Sequence, residues 1–375
     1  MEQGETGAIK RARVSVLGAG NGGCATAADL ARRGIPCTLF DLPRFDAILA
    51  PIREGGVLRL TGALGDHVVA APPITTDVRE AVEGADILVI AVPAFAQDAF
   101  ARACAPFMHP GQIAALTPGS TGGALAFARA LRREGAMEGV LVAETLSLPY
   151  ACRKVEPNHV HVGGVKRNVP VAAFPARHTD HVLAALEPVF PGMLVAAAHV
   201  LETSLNNPNA MAHPVPALLN TGWIETTGGD FRFYTDGVSP SVARAMDALD
   251  RDRLAVVTAL GLPSVPATEW DRRLYGLVGA TTYELNRDSW VHRDIRAPGE
   301  LRSRYLTEDV PYGLVPIASI ARELGIATPT IDLVIDLACL LLDEDLRAAG
   351  RTAASLGLAG LDARQMIEFV EVGVA

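Results

Sequence analysis

Lysine is nearly missing from this chain. Lys10, Lys154 and Lys166 are its only lysines in 375 residues. A catalytic lysine in the second half is therefore excluded, whereas one from the first half is not. Cysteine is sparse as well: Cys24, Cys37, Cys104, Cys152 and Cys339 are widely spaced and form no CxxC pair. The odd count argues against a disulfide framework, the spacing argues against a zinc site, and both point to a reducing cytoplasm. No stretch approaches the ~20 clean apolar residues of a membrane-spanning helix. Even Ile331 to Leu342 is broken by Asp332 and Asp336. The opening residues, Met1 to Arg13, have no apolar signal core and read as a short disordered leader. There is no basic block either. With 33 basic and 42 acidic residues the net charge is −9, which suits neither nucleic acid nor an anionic membrane.

What is present is core material. Hydrophobic residues make up 49% and charged residues 20%, the balance of a folded chain. At roughly 100–200 residues per domain, two domains are expected. Arg13 to Leu17 reads as a buried strand, Asn21 to Arg33 as a helix stopped at Gly34, and Cys37 to Phe40 as a second strand. That is a βαβ unit. The alternation continues. Val57–Leu60 and His67–Ala70 read as a hairpin, and Asp77–Val82 as a helix. Ile87–Ala91, Gln112–Leu116 and Val140–Glu144 read as strands, with a helix at Gly122–Arg133. His159–Val162 and Val171–Phe174 follow as strands, and His178–Leu186 as a helix. Alternating strands and helices imply a Rossmann-type, doubly wound parallel sheet. From Glu202 onward strand candidates almost vanish. Ser239 and Pro240 start a helix whose apolar stripe runs through Val242, Met246, Leu249, Val256 and Leu260. An all-α domain is expected there, giving a nucleotide-binding domain over 1–200 and a helical domain over 201–375. The apolar helical half is compatible with a homodimer.

Gly18 to Gly23 match GxGxxG between the first strand and the first helix, with an acid at Asp41 closing the second strand. That context is what the dinucleotide mechanism requires. Gly18 makes the turn, Gly20 lets a pyrophosphate approach the backbone, and Gly23 lets helix pack on strand. Asn21 and Gly22 open the helix, whose N-terminus favours phosphate. Asp41 is placed to accept from ribose hydroxyls, which favours NAD. Arg44, three residues on, is placed to greet a 2′-phosphate, so NADP stays open. Pro93 sits at a strand C-terminus where the cofactor crevice opens.

The GxGxxG loop runs into a small-residue helix over Ala25 to Gly34, and the second half adds further motifs. These are NAMAHP at 209–214, NTG at 220–222, FYTDGVSPS at 233–241 and RYLTEDVPYGL at 304–314. Together they resemble the octopine/nopaline (opine) dehydrogenase family from about residue 12 to about 360. The resemblance implies NAD(P)H-dependent reductive condensation of an amino acid or amine with a 2-oxo acid such as pyruvate. It also implies a histidine–aspartate dyad at His213 and Asp309, and an arginine, Arg304, for the oxo-acid carboxylate.

Those assignments meet the chemical need. Reduction at a C=N or C=O carbon requires proton management at the heteroatom, for which histidine is suited. A carboxylate on its far nitrogen fixes the tautomer, and a guanidinium suits a planar carboxylate. Glu308 rivals Asp309 for the carboxylate role, and Arg304 with Asp309 also reads as a local ion pair. Cys152 reads as a cleft-lining residue or a small buried one, and Asn220 as a substrate contact or a turn cap. His159 and His161 are too few for a metal site, so none is expected. The rivals are a carbonyl reductase of the ketopantoate reductase or glycerol-3-phosphate dehydrogenase type, and an NAD-binding sensor without catalysis.

Overall fold

The computed structural model describes residues 12–373, so most of the expected leader at Met1–Arg13 lies outside them. The strands are β1 Val14–Leu17, β2 Cys37–Phe40, β3 Val57–Gly62, β4 His67–Ala70, β5 Ile74–Thr75, β6 Ile87–Ile90, β7 Ile113–Leu116, β8 Leu141–Thr145, β9 Tyr150–Glu156, β10 His159–Val165, β11 Val169–Phe174 and β12 Leu194–Ala196. Eight of them form one sheet in the order β12-β11-β8-β7-β6-β1-β2-β5. From β8 to β5 every pairing is parallel. Strands β1, β6 and β7 are buried along their whole length, hence the unbroken apolar runs of β6 and β7, while in β1 the one polar residue, Ser15, donates to the Ala81 carbonyl. The strand order reverses between β1 and β6, which opens a crevice at their carboxyl ends.

The structure departs from the sequence reading at several points. Strand β11 pairs antiparallel with β8, so the sheet is mixed at one end. The expected hairpin β3–β4 belongs to a second sheet, ordered β4-β3-β10-β9, which packs over helix Asn21–Arg32. Strand β9 was not foreseen because Arg153, Lys154 and Glu156 give it no apolar run. Helix Asp46–Gly55 was also missed, since Pro51 lies inside it.

Beyond β12 the regular elements of the described residues are helical, and Arg232 and Arg296 form one isolated bridge. Helix Pro240–Ala259 starts at Ser239, whose hydroxyl accepts from Val242 N. The helical half is tied back to the first half in several places. Glu144, 1% exposed at the end of β8, accepts from Ala124 N at 2.7 Å, Thr203 Oγ1 at 2.7 Å and Ser204 Oγ at 2.6 Å. Near the other end of the chain, the buried Arg351 donates to the carbonyls of Ala94, Gly119 and Thr121 and to Gln97 Oε1. Helix Ala363–Val372 then returns to the sheet, where Phe369 packs on Phe174 with ring centroids 5.3 Å apart.

Candidate active site

The glycine loop leads from β1 to helix Asn21–Arg32. Gly18 has φ +101°, and a Cβ there would meet Val92 Cγ1 at 2.6 Å. A Cβ on Gly23 would lie 1.7 Å from the Gly18 carbonyl oxygen, so both glycines are dictated by close packing. Gly20 differs: nothing lies within 4 Å of the place its Cβ would take. It faces open space, as the approach of a pyrophosphate demands. The helix has no side-chain cap, which leaves its first N–H groups for a ligand. Asp41 accepts from Ala19 N and Leu42 N, both at 2.8 Å, so the carboxylate is fixed beside the loop. Burial raises its pKa, and the two backbone donors oppose the shift. The Arg44 guanidinium lies 5.0 Å over the Phe45 ring. Pro93 precedes helix Ala94–Cys104, whose first residue touches the helical half. Asn21 Oδ1 accepts from Lys154 N at 2.9 Å, linking the loop to β9. Gly22 lies against Leu148. These residues fit a dinucleotide.

His213 ends helix Asn209–Ala212 and precedes Pro214, which opens the next helix. Its Nδ1 lies 2.6 Å from Asp309 Oδ2, and its Nε2 lies 2.9 Å from the Tyr234 hydroxyl. The ring stacks on Tyr305 at 4.3 Å. Asp309 is buried, which raises its pKa, while the charge and hydrogen bond of His213 pull it back. Burial raises the Tyr234 phenol well above its ordinary value, so it stays protonated. Glu308 points elsewhere: its Oε1 accepts from Ala94 N at 2.9 Å, and its Oε2 from Arg304 Nε at 2.5 Å. The structure therefore separates the two carboxylates. Asp309 meets the histidine, and Glu308 ties Arg304 to the first half. The terminal nitrogens of Arg304 make no hydrogen bond to the described residues.

The remaining expectations divide. Cys152 is partly buried on β9, opposite Val162, and burial pushes its thiol up to about 12. Asn220 spends its amide nitrogen on the Pro216 and Gly237 carbonyls, and its side chain makes no capping bond to the helix that follows. His159 and His161 both hydrogen-bond Thr61, and no cluster of three or more metal-ligating side chains occurs among the described residues.

Sequence reasoning missed Tyr234 and Tyr305, although both stand inside quoted motifs. It also missed His292, whose ring stacks on Tyr234 at 4.6 Å. Burial, with the charges of Lys166 and His213, drives His292 down to about 3, so it is neutral.

Residues 196–342 match the family model for the alpha-helical domain of NAD/NADP octopine/nopaline dehydrogenase, and residues 14–175 match that of ketopantoate reductase PanE/ApbA. An opine dehydrogenase from Arthrobacter sp. (strain 1C) is 38% identical over 97% of this chain and 100% of its own length. The chain belongs to the opine dehydrogenase family. These are NAD(P)-dependent oxidoreductases acting on CH–NH groups, and the carbonyl-reductase and sensor readings fall behind. Protein ocs of Agrobacterium tumefaciens (strain Ach5) is 30% identical over 95% of this chain and 98% of its own. In fold, the opine dehydrogenase architecture recurs in an octopine dehydrogenase solved with NADH and L-arginine. It has a TM-score of 0.76 and 21% identity, covering 97% of this chain and 98% of that one. No helix among the described residues is long and apolar enough to cross a membrane.

Proposed function

We propose that this opine dehydrogenase joins a 2-oxo acid to the amino group of an amino acid, with His213 as acid–base group and Arg304 as carboxylate anchor. The observation that carries the reading is the 2.6 Å contact of His213 with Asp309. It unites side chains 96 positions apart in the sequence. Asp309 holds Nδ1 protonated and stabilises the imidazolium. Nε2 is left to deliver a proton to the oxygen that departs as water, and Tyr234 occupies that nitrogen until substrate arrives. The free terminal nitrogens of Arg304 receive the oxo-acid carboxylate. Tyr305 supports the imidazole from one face.

A reduced nicotinamide cofactor, held by Gly18, Gly20, Asn21, Gly22, Gly23 and Asp41, supplies the hydride. NAD is preferred, because the fixed Asp41 carboxylate repels a 2′-phosphate. The test is cofactor oxidation with pyruvate alone, with amino acids alone and with both. Oxidation that needs both partners supports the reading. Oxidation with pyruvate alone overturns it in favour of a carbonyl reductase.

A further inference from the structure

In a chain with three lysines, one is buried beside this site. Lys166, immediately after β10, is 7% exposed. Among the described residues no carboxylate hydrogen-bonds or ion-pairs with it: its Nζ donates to the Ser147 hydroxyl and lies 5.3 Å over the Tyr275 ring. An ammonium buried without an ion partner is costly, and such groups mark functional sites. Burial lowers its pKa to about 8, against the opposing charge of Asp271.

Its counterpart stands on the helix that carries Tyr275. Asp271 lies one turn before Tyr275 on helix Ala267–Tyr275. Its carboxylate has no hydrogen bond or ion pair among the described residues. Burial raises the Asp271 carboxyl to about 7, while the charges of Lys166, Arg272 and His213 pull it back, and Lys166 and Asp271 do not touch. Asp271, Tyr234 and His292 share the wall of a cavity of about 240 Å³. Two other carboxylates in that wall are already engaged. Asp250 pairs with Arg253 at 2.6 Å, and Asp247 accepts from Thr282. Met211, Met246 and Leu254 give the cavity apolar sides. Opposite charges held apart beside an acid–base group complement a zwitterion.

We propose that Lys166 and Asp271 are the specificity-determining anchor for an α-amino acid, Lys166 taking its carboxylate and Asp271 its amino group, with the side chain entering the cavity. The inference rests on the proposed reaction and says which residues make the enzyme choose an amino acid over a simple amine. Arg304 then serves one carboxylate of the product and Lys166 the other.

The test uses matched pairs, an amino acid and the amine left by its decarboxylation: arginine with agmatine, leucine with isopentylamine, phenylalanine with phenethylamine. In Lys166→Met, kcat/KM for the amino acid falls by about 100-fold, mostly through KM, as loss of a hydrogen-bonded charge contact implies. The value for the matched amine stays within about threefold on the same argument. In Asp271→Asn both members fall together, since both carry the amino group. Equal losses for both members in Lys166→Met, or no loss in either, overturn the anchor. Calorimetric titration of the same amino acids into the cofactor-loaded protein decides the anchor separately from the reaction. Binding that Lys166→Met abolishes upholds it even where the wild type turns over no pair, a result that would sink the proposed reaction alone. No binding to the wild type, or equal binding to both proteins, overturns it.

Discussion

Replacing Lys166 with methionine should make the protein more stable. Methionine keeps the unbranched shape and needs no solvation. The native lysine titrates at about 8, against 10.5 for a free side chain. At 1.36 kcal/mol for each pH unit, that gap of 2.5 is a penalty of about 3 kcal/mol carried by the wild type at neutral pH. The variant leaves Ser147 without its partner, which costs about 1 kcal/mol. The net gain is about 2 kcal/mol at pH 7. Its pH dependence has a definite sign. Below about pH 8 lysine is charged in both native and unfolded chains, and the penalty is whole. From there to 10.5 the native chain gives up its proton while the unfolded chain holds it, so wild-type stability rises with pH. Above 10.5 the penalty is gone, and the variant loses its advantage. Urea unfolding of both proteins at neutral pH and near pH 10 reads this directly. A variant less stable than wild type at pH 7, or a stability gap that does not narrow with pH, refutes the reasoning.

Four other outcomes follow from the site. His213→Ala should lower turnover by about 10²–10⁴, the usual share of acid–base catalysis, with cofactor affinity nearly unchanged; wild-type turnover would remove His213 from the mechanism. Asp309→Asn removes a charge worth about 4 kcal/mol to an imidazolium ~4 Å away at an effective dielectric of ~20. That is about a thousandfold in kcat, whereas Glu308→Gln should act mainly on KM for the oxo acid; similar kcat losses in both would erase the distinction between the two carboxylates. Gly20→Ala should fold normally but bind NADH weakly, while Gly23→Ala, whose Cβ meets the Gly18 carbonyl oxygen at 1.7 Å, should unfold more readily; cofactor titration and thermal melts compare them. If cofactor binding promotes closure of the cleft, calorimetry should show tighter substrate binding with NADH than without, and equal affinities would exclude ordered closure.

The legible parts of this molecule are those whose physics is local. Ile87–Ile90 is apolar throughout because both faces of the sheet are covered. The glycine loop is legible because its spacing serves a turn and a close contact. Strand β9 was hidden because a half-exposed strand in a small sheet needs no apolar run. The dyad is a different case. No local rule joins His213 to Asp309, and only the motif resemblance brought them together. Lys166 stood out only through the scarcity of lysine, and Asp271 carried no sequence signal, since neither is unusual until folding removes water and partners from both.

The clasp formed by Arg351 and the last helix bears on how the chain is made. The turns after β6 and β7 lie in the first third of the chain, yet Ala94, Gly119 and Thr121 find their guanidinium partner more than 200 residues later. During synthesis these three carbonyls therefore go without this donor until nearly the whole polypeptide has emerged. A nascent chain halted at the end of the matched helical segment, near residue 342, would hold every residue of the proposed catalytic set and still lack the strap that draws the two halves together.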